Sequence, residues 1–247
     1  MEITAHRGFE EAYPENTVEA ASRAAADADR VEVDVRRCGS GELVATHFDR
    51  VGFTTDGSGR VGELSVDELA ALSVGGSGEG VPLVADIAAA VPDDTPLRLD
   101  LKGPALGEDV VDLARAVDND VLLSSFYADA LWEARDIDDE IPLSYLFDVR
   151  ADRNMTTARL LDCEYVSPHW SLALGTDVVE RAHAAGMKVE AWTVATSAMA
   201  RLLDSAGVDS VAASSPELAP DEVRGLDYVG ALAEPGATLE RLRALMH

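Results

Sequence analysis

The chain has 247 residues, of which 47% are hydrophobic, so it is long and apolar enough to form one sizeable core. It carries 46 acidic and 20 basic residues, and the net charge of −26 makes nucleic acids and anionic membrane surfaces unexpected partners. No apolar run approaches the roughly 20 residues that span a bilayer, and no leader-like segment precedes the first motif, so we expect a cytoplasmic protein without stable membrane insertion.

Short β-rich runs alternate with alanine-rich helical patterns along most of the chain. This alternation predicts a parallel sheet with crossover helices. Ser65 and Glu68 form a capping-box pattern at the start of another helix, 65–72. The predicted strands cover 2–7, 31–38, 42–48, 97–102, 121–127, 141–147, 164–170, 187–194 and 208–213, and the clearest helical patterns cover 17–28, 108–117, 176–186 and 196–207.

Nine strands are one more than a (β/α)8 barrel contains, and the extra strand can be identified. Only Gly39–Gly41 separates 31–38 from 42–48, which is too short for a parallel crossover and predicts an antiparallel hairpin. A turn centred on Ser40 and Gly41 would pair Asp34 with His47 across that hairpin. We therefore predict a TIM barrel with one extra antiparallel strand after strand 2, as a single domain over 1–247 with a helical C-terminal cover over 217–247.

Acidic residues lie at the predicted strand ends, where a TIM barrel carries its chemistry. Glu32, Asp34 and Asp100 would face one cavity, where three carboxylates repel each other unless a cation neutralises them. Oxygen ligands of this kind suit Mg²⁺ or Ca²⁺. A half-exposed strand with alternating acids is the alternative interpretation for Glu32 and Asp34.

His6 and His47 lie at strand ends near these acids, which favours acid–base catalysis over a structural role. His183 falls in a helical pattern and His247 is the last residue, so both are predicted to lie on the surface. His169 lies near the end of another predicted strand and either forms a wall of the pocket or belongs to the core.

Arg7 and Lys102 place positive charge at the same strand ends of a very acidic protein, and Lys102 is one of only two lysines in the chain. A substrate anion such as phosphate would explain them. Ion pairs with Glu15 or Asp100 are the alternative. Trp192, also at a strand end, either forms a wall of the pocket or belongs to the core.

Cys38 and Cys163 have no metal-ligand spacing. They are predicted to be buried thiols, not a disulfide.

Taken together, these segments resemble the glycerophosphodiester phosphodiesterase family, in the order found there and over about residues 3–216. The resemblance implies a metal-dependent TIM barrel that cleaves glycerophosphodiesters to glycerol phosphate and an alcohol. The matching segments are 6-HRG-8, 14-PENT-17, 32-EVDV-35, His47, 99-LDLK-102, 124-SSF-126, 167-SPHW-170, 191-AWTV-194 and 206-AGVD-209.

The resemblance also implies a role for each candidate residue. It makes His6 and His47 the acid–base pair and Arg7 the phosphate-binding arginine. Glu15 would support Arg7 or the metal. The metal ligands would be Glu32, Asp34 and Asp100, with Lys102 in the Asp-x-Lys segment beside them.

Some positions depart from the family pattern, and they leave alternatives open. Asp100 stands where the family usually has glutamate, Phe48 replaces an aspartate, and Ala213-Ser214 replaces a Thr-Asp pair. A lysophospholipase D or phosphoinositide-type phospholipase is one alternative function, and a non-catalytic barrel that binds a polyol phosphate is another. The acid excess and scarce lysine resemble proteins of salt-loving archaea, and the sequence does not indicate an oligomeric state.

Overall fold

The computed structural model describes residues 1–218, which contain nine β-strands. Each lies within one of the predicted strand segments or differs from it by one residue at its start. The strands are β1 (Glu2–Ala5), β2 (Arg30–Arg37), β3 (Leu43–Ala45), β4 (Leu97–Leu101), β5 (Val121–Ser125), β6 (Leu143–Phe147), β7 (Tyr165–Pro168), β8 (Lys188–Val194) and β9 (Ser210–Ala213).

Eight of these strands form a closed parallel barrel, and β3 is the extra strand. The barrel closes because β1 pairs in parallel with both β2 and β9, the first and last of the other barrel strands. β3 pairs antiparallel with β2 and lies outside the barrel. The predicted TIM barrel with an additional hairpin strand is confirmed.

The predicted register of the hairpin is wrong by one residue. Val35 pairs with Ala45 and Arg37 with Leu43, so Asp34 does not pair with His47. The connection is a three-residue loop, Gly39–Gly41, and Gly41 adopts a φ of 109° that favours glycine. β3 ends at Ala45, and His47 follows the strand instead of lying within it.

Helices follow the barrel strands and cover the outside of the sheet. The predicted capping box at Ser65 and Glu68 is present at the start of α2. The helices are α1 (Val18–Ala24), α2 (Val66–Ala70), α3 (Val84–Ala90), α4 (Gly107–Ala116), α5 (Ala128–Ile137), α6 (Ala151–Leu160), α7 (Trp170–Gly175), α8 (Val178–Ala184) and α9 (Ser197–Ser205). Short 3-10 turns cover His6–Gly8, Val51–Phe53, Val61–Glu63 and Pro216–Leu218.

The main hydrophobic core lies between the sheet and these helices, because alternate strand residues such as Val33, Leu99 and Val189 point outwards into it. A smaller cluster around Val51, Leu69 and Val74 holds together the segment between β3 and β4. Residues that point into the barrel are largely polar, whereas TIM barrels commonly fill this space with branched apolar side chains.

Cys38 and Cys163 are both buried and unpaired, as predicted. No helix in the described part of the chain has the length and apolar character needed to cross a membrane. Of the predicted C-terminal cover, residues 219–247 lie outside the described residues.

Candidate active site

The turn that follows β1 brings the first candidate residues to the barrel mouth. Arg7, Gly8 and Phe9 have φ values of 50°, 74° and 66°, so three consecutive residues adopt left-handed conformations. Such conformations cost free energy for residues with a side chain, and they cluster at functional sites. The backbone N–H of Arg7 donates to Glu32 Oε2 at 2.8 Å, which fixes this turn to β2.

Three buried carboxylates meet at the same end of the barrel. Glu32 and Asp34 lie on β2, and Asp100 lies on β4 directly beside Asp34 in the parallel ladder. One oxygen from each group lies within 4.8 Å of one from each of the others. All three are nearly inaccessible to solvent, so the interpretation of Glu32 and Asp34 as solvent-facing acids is wrong.

Two cations offset part of this negative charge. Lys102 Nζ lies 2.6 Å from Asp34 Oδ1 and also contacts Asp100 Oδ2, while Arg7 Nε lies 3.1 Å from Asp34 Oδ2. Burial raises the pKa of Asp34, but Lys102, His47 and Arg7 lower it more, so the pKa lies well below its usual value. The same carboxylates raise the pKa of Lys102, although burial acts in the opposite direction.

Asp100 keeps an unused oxygen that suits a metal ion. Burial is the largest cause of the raised pKa of Asp100, with repulsion from Asp34 and Glu32 adding to it. Its Oδ1 is buried and accepts no hydrogen bond from any described residue. A buried carboxylate oxygen of this kind is costly unless a cation or a proton satisfies it. The three carboxylates therefore fit a divalent metal with a preference for oxygen ligands.

Each of the two candidate histidines approaches a different carboxylate of the cluster. His6 Nδ1 forms a 2.6 Å hydrogen bond with Glu10, and its Nε2 lies 3.9 Å from Glu32. Burial lowers the pKa of His6, but the nearby charges of Glu32 and Glu10 raise it by more than burial lowers it. The pKa therefore lies above the ordinary value of 6.5. His47 Nδ1 lies 3.2 Å from Asp34 Oδ2.

The segment that carries His47 is held in place by Arg36. Two guanidinium nitrogens of Arg36 donate to the carbonyl oxygen of His47, at 3.0 and 2.8 Å. A third donates to the carbonyl of Lys102 at 3.4 Å. The two loops that follow β3 and β4 are thereby joined at the mouth, although His47 itself lies outside the β3 ladder.

A cavity of about 280 Å³ opens above the carboxylates and reaches an aromatic wall. Trp192 lines this cavity, and its indole N–H donates to the carbonyl of Ser167 at 2.8 Å. Phe126 and His169 both pack edge-on against the Trp192 ring, with centroids 5.2 Å away. Trp192 is therefore part of the pocket wall and not of the hydrophobic core. His6, Arg7, Glu32, His47, Asp100 and Lys102 also line the cavity.

Two residues of the 14-PENT-17 segment contact site residues, namely Arg7 and Asp34. Glu15 reaches Arg7 Nη1 at 3.4 Å, so it contacts the arginine and not the carboxylate cluster. The side-chain amide of Asn16 donates to Asp34 Oδ2, and the backbone N–H of Asp34 donates to Asn16 Oδ1, both at 2.9 Å. Neither Asn16 nor Glu10 was predicted as a site residue, although Glu10 follows His6 by four residues, about one helical turn.

Comparisons with known proteins identify the family of the chain. The model of the glycerophosphoryl diester phosphodiesterase family matches residues 6–218. The chain belongs to this family. Membership places it among the phosphoric diester hydrolases and confirms the resemblance found in the sequence.

Similar family members include a glycerophosphodiester phosphodiesterase of Caldanaerobacter subterraneus subsp. tengcongensis, which is 25% identical over 90% of this chain and 97% of its own length. An Oleispira antarctica phosphodiesterase, solved in complex with the product sn-glycerol-3-phosphate, superposes with a TM-score of 0.81 at 27% identity, covering 91% of this chain and 96% of that one. A glycerophosphodiester phosphodiesterase structure from Agrobacterium tumefaciens shares the fold, with a TM-score of 0.79 at 23% identity over 88% and 98% of the two chains.

Proposed function

We propose that this chain hydrolyses glycerophosphodiesters to glycerol phosphate and an alcohol, with a divalent metal held by Glu32, Asp34 and Asp100. The observation that carries the proposal is the convergence of these carboxylates, within 4.8 Å of one another, beside two histidines that line the same cavity as Glu32 and Asp100. Family membership supplies the reaction class. Mg²⁺ and Ca²⁺ both suit the three carboxylates.

The bound metal would supply Lewis-acid stabilisation of a phosphate oxygen. Arg7 and Lys102 line the same cavity and would neutralise the remaining phosphate charge as it grows in the transition state. Their positions are fixed by contacts with Asp34, and the ionised state of Asp34 keeps both cations at the mouth.

His6 and His47 would move the protons. One removes a proton from the nucleophile, and the other gives a proton to the oxygen of the leaving alcohol. His6 Nδ1 is held by Glu10, which leaves its Nε2 on the side of the carboxylates. His47 approaches the same group from the side of Asp34. The 280 Å³ cavity that both histidines line would hold the phosphodiester group.

A second cavity, of about 460 Å³, lies behind Glu10 and Glu15, two residues that contact His6 and Arg7. Glu11 adds a third carboxylate to its lining, next to the exposed ring of Phe53. Carboxylates are poor neighbours for an acyl chain, because hydrocarbon contact removes their hydration. We place the leaving alcohol in this second cavity, and on that placement we favour short polar alcohols over the lysolipid and phosphoinositide alternatives.

The test is release of glycerol phosphate from glycerophosphocholine, glycerophosphoethanolamine and glycerophosphoglycerol, in molar salt with Mg²⁺, Ca²⁺ or EDTA. We expect metal-dependent release, which His6→Ala or His47→Ala lowers by at least ~10²-fold because each removes a proton-transfer group. His183→Ala is the matched control, since His183 lies on α8 and contacts Asp209 instead of the site.

Retention of near wild-type rates in the variant lacking both histidines would contradict the acid–base assignment. A folded wild-type protein that binds inorganic phosphate but releases no glycerol phosphate from any of these diesters would favour the non-catalytic barrel. Faster turnover of lysophospholipids than of the short diesters would favour the lipase alternative.

A further inference from the structure

A network of polar side chains fills the barrel interior directly beneath the carboxylates. Arg98 on β4 and Glu190 on β8 form an ion pair across the barrel, and both are at most 2% exposed. Arg98 Nε donates to Ser124 at 2.9 Å, and its Nη2 donates to Ser167 at 3.3 Å. All its guanidinium nitrogens are therefore engaged and the group is fixed in one orientation.

Glu190 is shared between two guanidinium groups. Its Oε1 pairs with Arg98, and Arg30 Nη1 reaches its Oε2 at 3.3 Å. Thr4 and Ser210 also donate to Oε2, at 2.6 and 3.1 Å. Arg30 extends in the opposite direction from Arg98, towards the half-exposed Glu2 at 3.9 Å. Glu190 therefore shares one negative charge between Arg98 and Arg30, and the other acidic partner of Arg30, Glu2, is half-exposed.

Arg98 lies at the floor of the candidate active site. It pairs with Glu32 in the parallel ladder of β2 and β4, and it precedes Asp100 by two residues, so its side chain points to the same side as both. Arg98, Glu32 and Asp100 line the 280 Å³ cavity together. Burial lowers the pKa of Arg98, and the charges of Glu32 and Asp100 oppose that effect.

We propose that Arg98 is a positioning residue whose positive charge, partly offset by Glu190, controls the relative affinity of the cavity for a divalent cation and for a phosphate group. This rests on the proposed function. The buried guanidinium repels a cation held by Glu32 and Asp100 and attracts the phosphate above them. In an interior that screens charges weakly, one unit of charge acting over roughly 10 Å changes a binding constant by about tenfold or more.

Because Arg98 and Glu190 carry opposite charges, replacing one should have the opposite effect on the two affinities to replacing the other. Arg98→Met removes a positive charge, so Mg²⁺ should bind about tenfold more tightly and inorganic phosphate about tenfold more weakly. Glu190→Gln leaves both guanidinium groups without their carboxylate, so Mg²⁺ should bind more weakly and phosphate more tightly. The double variant restores the original sum of charges and should return both affinities towards wild type.

The experiment is calorimetric titration of the metal-stripped protein with Mg²⁺, then of the Mg²⁺-loaded protein with inorganic phosphate, at one fixed salt concentration. Arg30→Met is the matched control, because it removes the same charge from the side of Glu190 farther from Asp100 and should change both affinities less than Arg98→Met. Thermal unfolding of each variant establishes that it is folded. Should Glu190→Gln not fold, Arg98→Met, Arg30→Met and the double variant still give the comparison.

Opposite shifts in the two single variants, with recovery in the double variant, would support the inference. Equal losses of both affinities in all variants would overturn it and leave Arg98 and Glu190 with a purely structural role. If the wild type hydrolyses glycerophosphodiesters and binds Mg²⁺, and the variants have the same Mg²⁺ and phosphate affinities as the wild type, this inference alone is overturned. A folded wild type that does neither overturns the proposed function as well.

Discussion

Asp34 is the residue through which most of the site is held together. Its carboxylate contacts Asn16, Arg7, His47 and Lys102, each from a different segment of the chain. A carboxylate surrounded in this way remains ionised far below the pH at which free aspartate takes up a proton, as its lowered pKa indicates. Its charge therefore holds Arg7, His47 and Lys102 in place, in addition to its proposed role as a metal ligand.

His6 gives a pH dependence that can be checked without a bound metal. Its pKa is raised above 6.5 in the folded protein by Glu32 and Glu10. A raised pKa contributes stability that is fully present below pH 6.5 and is lost as the pH rises through the folded value. In EDTA, the free energy of unfolding of the wild type should fall over this window by more than that of His6→Ala.

Urea unfolding at pH steps from 5.5 to 9 measures this difference. His183→Ala serves as the control, because it removes an exposed histidine that contacts Asp209. Parallel curves for wild type and His6→Ala would show that His6 does not bind its proton more tightly in the folded state.

The left-handed turn after β1 is the element on which the position of Arg7 depends. Gly8 lies in it with a φ of 74°, and a Cβ added there would come within 2.9 Å of the backbone carbon and Cβ of Ala20 on α1. Gly8→Ala should therefore cost about 1–3 kcal/mol of stability, because it combines backbone strain with a clash. Activity should fall as well, since Arg7 and the donor to Glu32 would move.

Thermal unfolding and diester turnover measure the two effects of Gly8→Ala. Gly62→Ala is the matched control: a Cβ there has no heavy atom within 4 Å, and Gly62 does not adopt a positive φ. We expect it to change stability by less than ~0.5 kcal/mol. Similar stabilities for both variants would mean that α1 moves away from the turn at little cost.

The sequence predicts elements well where the signal is local. Apolar alternation located all nine strands, and the short glycine connection identified β3 as antiparallel. The register of that hairpin was missed because two-residue and three-residue turns over Gly39–Gly41 differ by one residue, which sequence alone does not separate. His47 nevertheless reaches Asp34, because the irregular segment after β3, which Arg36 holds through the carbonyl of His47, brings its side chain there.

Contacts between distant segments were the part of the site that sequence reasoning could not supply. Glu32, Asp34 and Asp100 were predicted together because parallel strands end at one edge. No such rule predicts the ion pair of Arg98 and Glu190, because it crosses the barrel between β4 and β8, which are not neighbouring strands. A buried arginine within the run 97-LRLDLK-102 is also indistinguishable, by pattern alone, from an arginine on an exposed face.

At the scale of the whole molecule, the net charge of −26 should make stability depend on salt. Repulsion between surface carboxylates is screened over about 10 Å at 0.1 M salt but over about 3 Å at 1 M. We expect the Tm to rise by at least ~5 °C between 0.1 and 2 M NaCl, which corresponds to about 2 kcal/mol for a protein of this size.

Differential scanning calorimetry at pH 7.5 and pH 5 separates screening from other effects of salt. The sequence pI is about 4.3, so repulsion is weaker at pH 5 and the gain in Tm should shrink there. A gain of the same size at both pH values would assign the stabilisation to exclusion of salt from the surface instead of to charge.

Closure of the barrel through β1 also bears on how the protein is made. β1 pairs with β9, whose residues leave the ribosome only after almost all of the described chain has been synthesised. His6 and Arg7 directly follow a strand that lacks one of its two neighbours until then. During synthesis, that unpaired edge is open to pairing with other nascent chains. The fold therefore matures late, and the first motif of the chain is among the last parts to reach its final surroundings.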